Sequence, residues 1–156
     1  MPTYTIEPLN RILFPTDFSP AANLAQAHAE RLAAVTGASL LALHVPQLYG
    51  TDTPEDTPDD RLRLLLEDIP TNETGLEVER LIYRGSPGEI ICWIAQEREC
   101  DQIVMGTHGR TGLVNLLMGS TAEHVVRHAR CPVLTVPKRP TSVAPLRKPA
   151  GCPMTL

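Results

Sequence analysis

Lysine is nearly missing from this sequence. Lys138 and Lys148 are the only two, although Lys and Arg together number 14. With no lysine before residue 138, a GxxxxGK[ST] phosphate loop is excluded, because its lysine must reach the β- and γ-phosphates. GxGxxG is also absent, which removes the dinucleotide fingerprint. Aromatic residues make up 4% of the chain, too few for a basic, aromatic-interleaved surface that binds nucleic acid. The four cysteines, Cys92, Cys100, Cys131 and Cys152, form no CxxC pair. That pattern suits reduced thiols in a cytoplasmic setting better than a zinc site or disulfide framework. Long apolar runs are missing too. The longest, Ala38 to Val45, is broken by Ser39 and His44 and falls well short of the roughly 20 residues of a membrane span. The amino terminus lacks the basic start and apolar stretch of a signal peptide. Finally, no acid follows Glu123. The formal charge of −4 therefore divides into an acidic body and a basic end carrying Arg127, Arg130, Lys138, Arg139, Arg147 and Lys148.

What is present is an alternation of apolar strands and helical patterns within 156 residues, the length of one domain. Ile12 to Phe14 reads as a buried strand closed by Pro15. Ser19-Pro20 opens a helix, with Ser as cap and Pro at the first position, and Gly37 ends it. Leu24, His28, Leu32 and Val35 recur at helical spacing along it. Leu40 to Val45 is a second strand, apolar on both faces as a buried parallel strand should be. Residues 46–60 carry three prolines and five acids and read as a solvated loop, followed by a short helix over 59–67. Leu76 to Tyr83 forms a third strand with Glu77 and Glu79 outward. Ser86-Pro-Gly-Glu89 has capping-box spacing and launches a helix through Ala95. Ile103 to Met105 is the fourth strand. Ser120-Thr-Ala-Glu123 repeats the capping-box spacing before a helix to about residue 129, whose last turn gains Arg127 and Arg130. Val133 to Val136 is the fifth strand. This order predicts an α/β domain over residues 1–137: a doubly wound, five-stranded parallel sheet, order 3-2-1-4-5, with helices on both faces. Residues 138–156, with four prolines and no apolar periodicity, read as a flexible basic tail.

Ligands of such sheets bind beyond the carboxyl ends of the strands. After strand one comes Pro15-Thr16-Asp17-Phe18-Ser19. After strand four, Gly106, Gly109, Gly112 and Gly119 fall within 14 residues. Glycines let backbone N–H groups close around an anion, and Gly119-Ser120 opens a helix whose amino end favours phosphate. The competing reading is a loop that needs glycine only for its turns. Asp17 suits either a ribose hydroxyl or phosphate-bound cation, or the amino end of the first helix. Ser120 is either an N-cap paired with Glu123 or a phosphate contact, and Arg110 either a phosphate partner or a solvated loop residue. His124 and His128 share a helix face at i, i+4, the spacing of a metal pair, but lack a third ligand. His28 and His44 read as packed, hydrogen-bonded residues, and Trp93 as core or interface.

Gly106-x-x-Gly109, nine residues, then Gly119-Ser120, within MGTHGRTGLVNLLMGSTAEHVVRHARCPVLTV, resembles the ATP-binding branch of the universal stress protein family. LFPTDFS and LLALHV match further landmarks, so the resemblance runs from residue 11 to 137. It implies a Rossmann-like domain and a nucleotide held by Pro15, Thr16 and Asp17 after strand one. It places adenine on the backbone of Val45, and ribose and phosphates near Met105, Gly106, Gly109, Gly119, Ser120 and Thr121. The ligand implied is ATP, with ADP and AMP as alternatives, accompanied by Mg or Mn near Asp17. A homodimer through Val133 to Val136 and a protein partner of unspecified identity follow from the same resemblance. The segment after strand two is short and acidic for the family's lid.

Three functions compete. A regulatory module would bind nucleotide without a hydrolytic apparatus, and no lysine, Walker-B pair or evident general base is present. A slow ATPase would have only Asp17 or His108 for the chemistry, while a nucleotidyl-transfer enzyme would need an SGGxDS-type loop where PTDFS stands. A nucleotide-free interaction protein is disfavoured by the intact glycine spacing.

Overall fold

Each strand alternates its side chains between two helical layers, so strand sequence dictates which helix packs where. A computed structural model describes residues 8–46, 75–108 and 118–137. The strands are β1 (Arg11–Thr16), β2 (Ser39–His44), β3 (Val78–Ile82), β4 (Gln102–Gly106) and β5 (Val133–Val136). They form one five-stranded sheet in the order β3-β2-β1-β4-β5, with parallel pairing at every junction. The helices are α1 (Pro20–Thr36), α2 (Pro87–Glu97) and α3 (Ser120–His128). On one face Ile12, Phe14, Leu40, Ala42 and Val104 meet Ala25, Ala29 and Ala33 of α1. On the other, Leu13, Leu41, Leu43, Ile103 and Met105 meet Ile91 and Ile94 of α2 and Ala122 and Val125 of α3. The expected doubly wound sheet and its strand order are thus observed. The chain builds outward from β1 through β2 to β3, then returns to β1's other side as β4.

Local chemistry explains the element ends, with some departures from expectation. Ser19 caps α1, its Oγ accepting from the Ala22 N–H at 3.2 Å, with Pro20 behind it. Gly37 closes α1 at φ 76°, a conformation that disfavours a Cβ. Pro15 does not close β1, which runs on to Thr16. Pro15 pairs in register with Leu43 and lies past Leu13↔Ile103, so its missing N–H leaves the β1–β4 pairs intact.

The buried face of α1 also differs from the expected one. Ala21, Ala22, Ala25, Ala29 and Ala33 are buried with Glu30, whereas Val35 is 80% exposed, Leu24 borders on exposed and His28 is exposed. The expectation of a packed His28 is therefore wrong, while His44 is buried as expected. Alanines win because α1 approaches the sheet closely. A Cβ placed on Gly106 of β4 would lie 3.0 Å from the Ala21 carbonyl carbon, leaving no room for leucine-sized side chains.

Neither capping-box spacing produces a side-chain cap. Ser86 stands at the N-cap of α2 without a side-chain hydrogen bond, and in α3 the cap is Gly119 rather than Ser120. Glu123 instead pairs with Arg127 at 2.7 Å on the exposed side of α3. Arg130 falls beyond the Ala129 C-cap, so only Arg127 and His128 occupy the last turn. Trp93 is half-exposed, which removes it from the core. Its ring meets Tyr83 edge-on at 5.5 Å. The helix expected over 59–67, the acidic loop before it and the tail from residue 138 lie outside the described residues.

Candidate functional site

Strand order reverses at β1, so the crevice expected of such sheets falls between the carboxyl ends of β1 and β4. The β1 side is a tight turn. Thr16 Oγ1 accepts from the Phe18 N–H at 3.0 Å, and Asp17 Oδ1 accepts from the Ser19 N–H at 3.0 Å. Between them Phe18 takes φ 61°, a left-handed conformation that costs a bulky residue of order 1 kcal/mol or more. The neighbouring β2 end supports it. Nδ1 of the buried His44 donates to the Thr16 carbonyl at 2.7 Å, and the Phe18 and His44 rings lie 4.8 Å apart.

The β4 side is built around Thr107, which is buried. Its N–H donates to the Val136 carbonyl at 3.0 Å, extending the β4–β5 ladder. Its carbonyl accepts from the Gly119 N–H at 2.7 Å, which pins the amino end of α3 to the end of β4. Its hydroxyl lies 2.9 Å from Nδ1 of His108. No side chain caps α3, so its first turn presents backbone N–H groups and the positive end of the dipole.

The sequence-nominated residues fall into groups. Thr16 from β1 and Asp17 just after it, Val45 after β2, Gly106 from β4, and Gly119, Ser120 and Thr121 at α3 all belong to the carboxyl side of the sheet. Pro15 and Met105 are buried, and Met105 packs in the core between sheet and α2/α3, so only their backbone is at hand. Gly106 owes its lack of a side chain at least partly to Ala21. Asp17 does perform the local turn role weighed against ligand binding. Ser120 is exposed and is not the N-cap, which removes its capping alternative. Gly109 and Arg110 lie outside the described residues. Three contributors were not nominated: Phe18, Thr107, and His44 as a support of the turn. Phe18 and Thr107 sit inside the two motifs, and β-strand periodicity places His44 at the same strand end as Val45.

Thiol chemistry belongs elsewhere. Cys100 and Cys131 line a hollow with Ala95, Gln96, Glu99 and Arg130, at the amino ends of β4 and β5, opposite the crevice. Burial, with Cys131 adding to it, pushes the Cys100 thiol from 9.0 up to about 12, and burial raises Cys92 and Cys131 as well. Such thiols are protonated and weakly nucleophilic near neutrality. Because the folded value of Cys100 lies above the unfolded one, its contribution to stability is whole below pH 9 and is lost as pH climbs toward 12. Melting measured upward from about pH 9 should therefore fall more steeply for the wild type than for Cys100→Ala; parallel curves would contradict this.

A doubly wound parallel sheet of five strands, with helices on both faces, defines a small Rossmann-like α/β domain. The universal stress protein family model matches residues 8–137, and the chain belongs to that family. Among its relatives is Universal stress protein MJ0577 of Methanocaldococcus jannaschii, 28% identical over 154 residues, spanning 83% of this chain and 95% of the relative. Universal stress protein MJ0531 of the same organism is 32% identical over 139 residues, spanning 82% of each chain. A solved structure of MJ0577 superposes with a TM-score of 0.71 at 29% identity, covering 86% of this chain and all of that one. A universal stress protein solved in complex with cAMP superposes at 0.64 over 83% of this chain and 98% of its own, but at 22% identity the likeness is one of fold. Among the described residues no helix is long and apolar enough to cross a membrane.

Proposed function

We propose that this chain is an adenine-nucleotide-binding universal stress protein of the ATP-binding branch, acting as a regulatory module in a stress response. One observation carries the reading: Thr107 ties β4, β5 and the uncapped amino end of α3 together at the switch point through bonds of 3.0 and 2.7 Å. An amino end so held is a preorganised seat for phosphate, requiring no lysine. The glycines at 106, 109 and 119 let backbone approach the anion. Val45, at the end of β2, offers backbone to adenine, and Asp17, in the turn after β1, is assigned to a ribose hydroxyl or to a phosphate-bound Mg or Mn. A hard divalent ion suits that carboxylate and phosphate oxygens. The domain of the proposal is residues 1–137, with 138–156 as an appended basic tail. Its dimer interface is β5, an edge strand on which Leu134 is 39% exposed.

A slow ATPase is the second reading, favoured by the proximity of Asp17 and His108 to the crevice. Single-turnover assays with ATP and Mg²⁺ or Mn²⁺ separate the two. The regulatory reading expects binding that weakens roughly tenfold in Asp17→Ala, through loss of a charge-assisted hydrogen bond, with hydrolysis far below the roughly 10 s⁻¹ of an ordinary enzyme. Turnover near that rate, abolished in Asp17→Ala, favours the enzyme.

A further inference from the structure

Cys100 and Cys131 stand just before β4 and β5, at the end of the sheet opposite the switch point. The two strands are neighbours. Ile103 pairs with Val133, and the Ile103 N–H donates to the Pro132 carbonyl at 3.0 Å, so the pairing reaches back to the residue after Cys131. Continuing that register sets Asp101 against Cys131, with Cys100 one step further. At a strand spacing of about 4.8 Å and a rise of about 3.3 Å, that offset puts the two Cα atoms roughly 6 Å apart, within the roughly 4.4–6.8 Å that a disulfide spans. Both side chains turn to the same layer: Cys100 is buried in the core with Ile91, Ile94 and Val125, and Cys131 packs against that core. They line one hollow of about 120 Å³, several times the share of a water molecule. Cys100 is held from both sides. Its N–H donates to the Ala95 carbonyl at 2.8 Å and the Glu99 N–H to the Gln96 carbonyl at 3.1 Å, the paired bonds of a Schellman end to α2, with Glu99 left-handed at φ 50°. Beyond it, Oδ2 of Asp101 accepts from the N–H groups of Asn10 and Arg11 at 2.7 and 2.9 Å.

We propose that Cys100 and Cys131 are a redox modification site, joined in an intramolecular disulfide when hydrogen peroxide supplies the oxidising equivalents. The half-buried Cys131 reacts first. Its thiolate sulfur attacks the peroxide O–O bond, giving a sulfenic acid while the other oxygen leaves as hydroxide. The Cys100 thiolate then attacks that sulfur, the S–S bond forms, and the sulfenic oxygen leaves as hydroxide. The two thiol protons convert both hydroxides to water, so two thiols and one peroxide yield one disulfide and two waters. Charges about the pair are of both signs: Arg11, Arg98 and Asp101 act on Cys100, Asp101 acts on Cys131, and Glu99 and Arg130 line the hollow. Burial outweighs them, so the reaction is slow near neutrality and quickens as pH rises. The bond closes a loop over residues 101–130, which contains β4, Thr107 and α3.

Treating the reduced full chain with hydrogen peroxide at about pH 9, where more thiol is ionised, tests the site. After alkylation and digestion without reductant, mass spectrometry should find one cross-linked peptide pair joining Cys100 to Cys131 within a single chain. Cys92→Ser should form the same bond. Oxidation should raise the melting temperature of the wild type by about 5 °C or more, a shift absent in Cys131→Ser, whose half-buried position retains the fold. A bond to Cys92 or Cys152, a bond between chains, or thiols that stay free or pass to sulfinic acid without cross-linking, overturns the proposal. The pair lies at the other end of the sheet from the phosphate seat, so the result is independent of the nucleotide reading.

Discussion

Phe14→Ala is expected to destabilise the domain by about 3–5 kcal/mol, a large share of the 5–15 kcal/mol typical of a folded domain. Phe14 sits in β1 with none of its surface exposed, in register with Ala42 and packed with Ala25, Ala29 and Ala33. The helix side of that packing is alanine, whose side chains cannot extend into the vacated volume. The residual cavity adds to the lost transfer energy of the ring. Urea unfolding followed by circular dichroism measures the cost. A loss below about 1 kcal/mol would mean that α1 settles onto the sheet, and that its close approach is not fixed by Phe14.

Gly106→Val is expected to damage the fold through the same interface, by about 3 kcal/mol, while Gly109→Val spares the fold and removes nucleotide binding. At Gly106 an added Cβ would meet the Ala21 carbonyl carbon at 3.0 Å, its Cβ at 3.1 Å and its oxygen at 3.1 Å. Two of these atoms are backbone at the start of α1 and cannot rotate away. Relief requires shifting α1, and with it the Thr16–Ser19 turn. Gly109 is assigned a different role, as the point where phosphate approaches backbone. Melting temperature and ATP affinity measured on both variants separate packing glycine from binding glycine. A stable Gly106→Val with an unchanged melting curve would contradict the packing account.

The sheet was legible because its information is local and redundant. Strand runs such as Leu40 to Val45 are apolar on both faces, Ser19-Pro20 and Gly37 punctuate α1, and the alternation of strand and helix forces parallel crossovers. The face of α1 was not legible by the same logic. Of the larger apolar residues, Leu32 packs at the edge of the core while Leu24 and Val35 are exposed, because interlayer distance selects for size. Only the sheet partner, Gly106, reveals that the gap takes alanine. Capping-box spacing at Ser86 and Ser120 was similarly ambiguous, because the pattern does not say which residue stands at the cap. One position decides it: with Gly119 at the cap, Ser120 enters the helix and its hydroxyl is left for another partner.

The candidate site divides the same way. Its motifs fall at strand and helix ends beside the switch point, Pro15 to Ser19 around the end of β1, Gly106 at the end of β4 and Ser120 at the start of α3. What the motifs hid was the scaffolding: Phe18 held at φ 61° against His44, and Thr107 bonding to both β5 and α3. These contacts join segments 28 and 29 residues apart or carry their bonds through backbone atoms, for which side-chain type gives no signal. The charge division also resolves. Arg127 pairs with Glu123, Arg130 lines the hollow beside Cys131, and Lys138, Arg139, Arg147 and Lys148 lie beyond the family domain, so the basic end of the chain adds nothing to the proposed phosphate seat.

Calorimetric titration of ATP with Mg²⁺ onto the full chain tests the central claim most directly. The account predicts one saturable site per chain with a dissociation constant in about the micromolar range, absent in a folded Gly109→Val variant. No heat of binding at roughly millimolar ATP, or equal affinity in Gly109→Val, would contradict it.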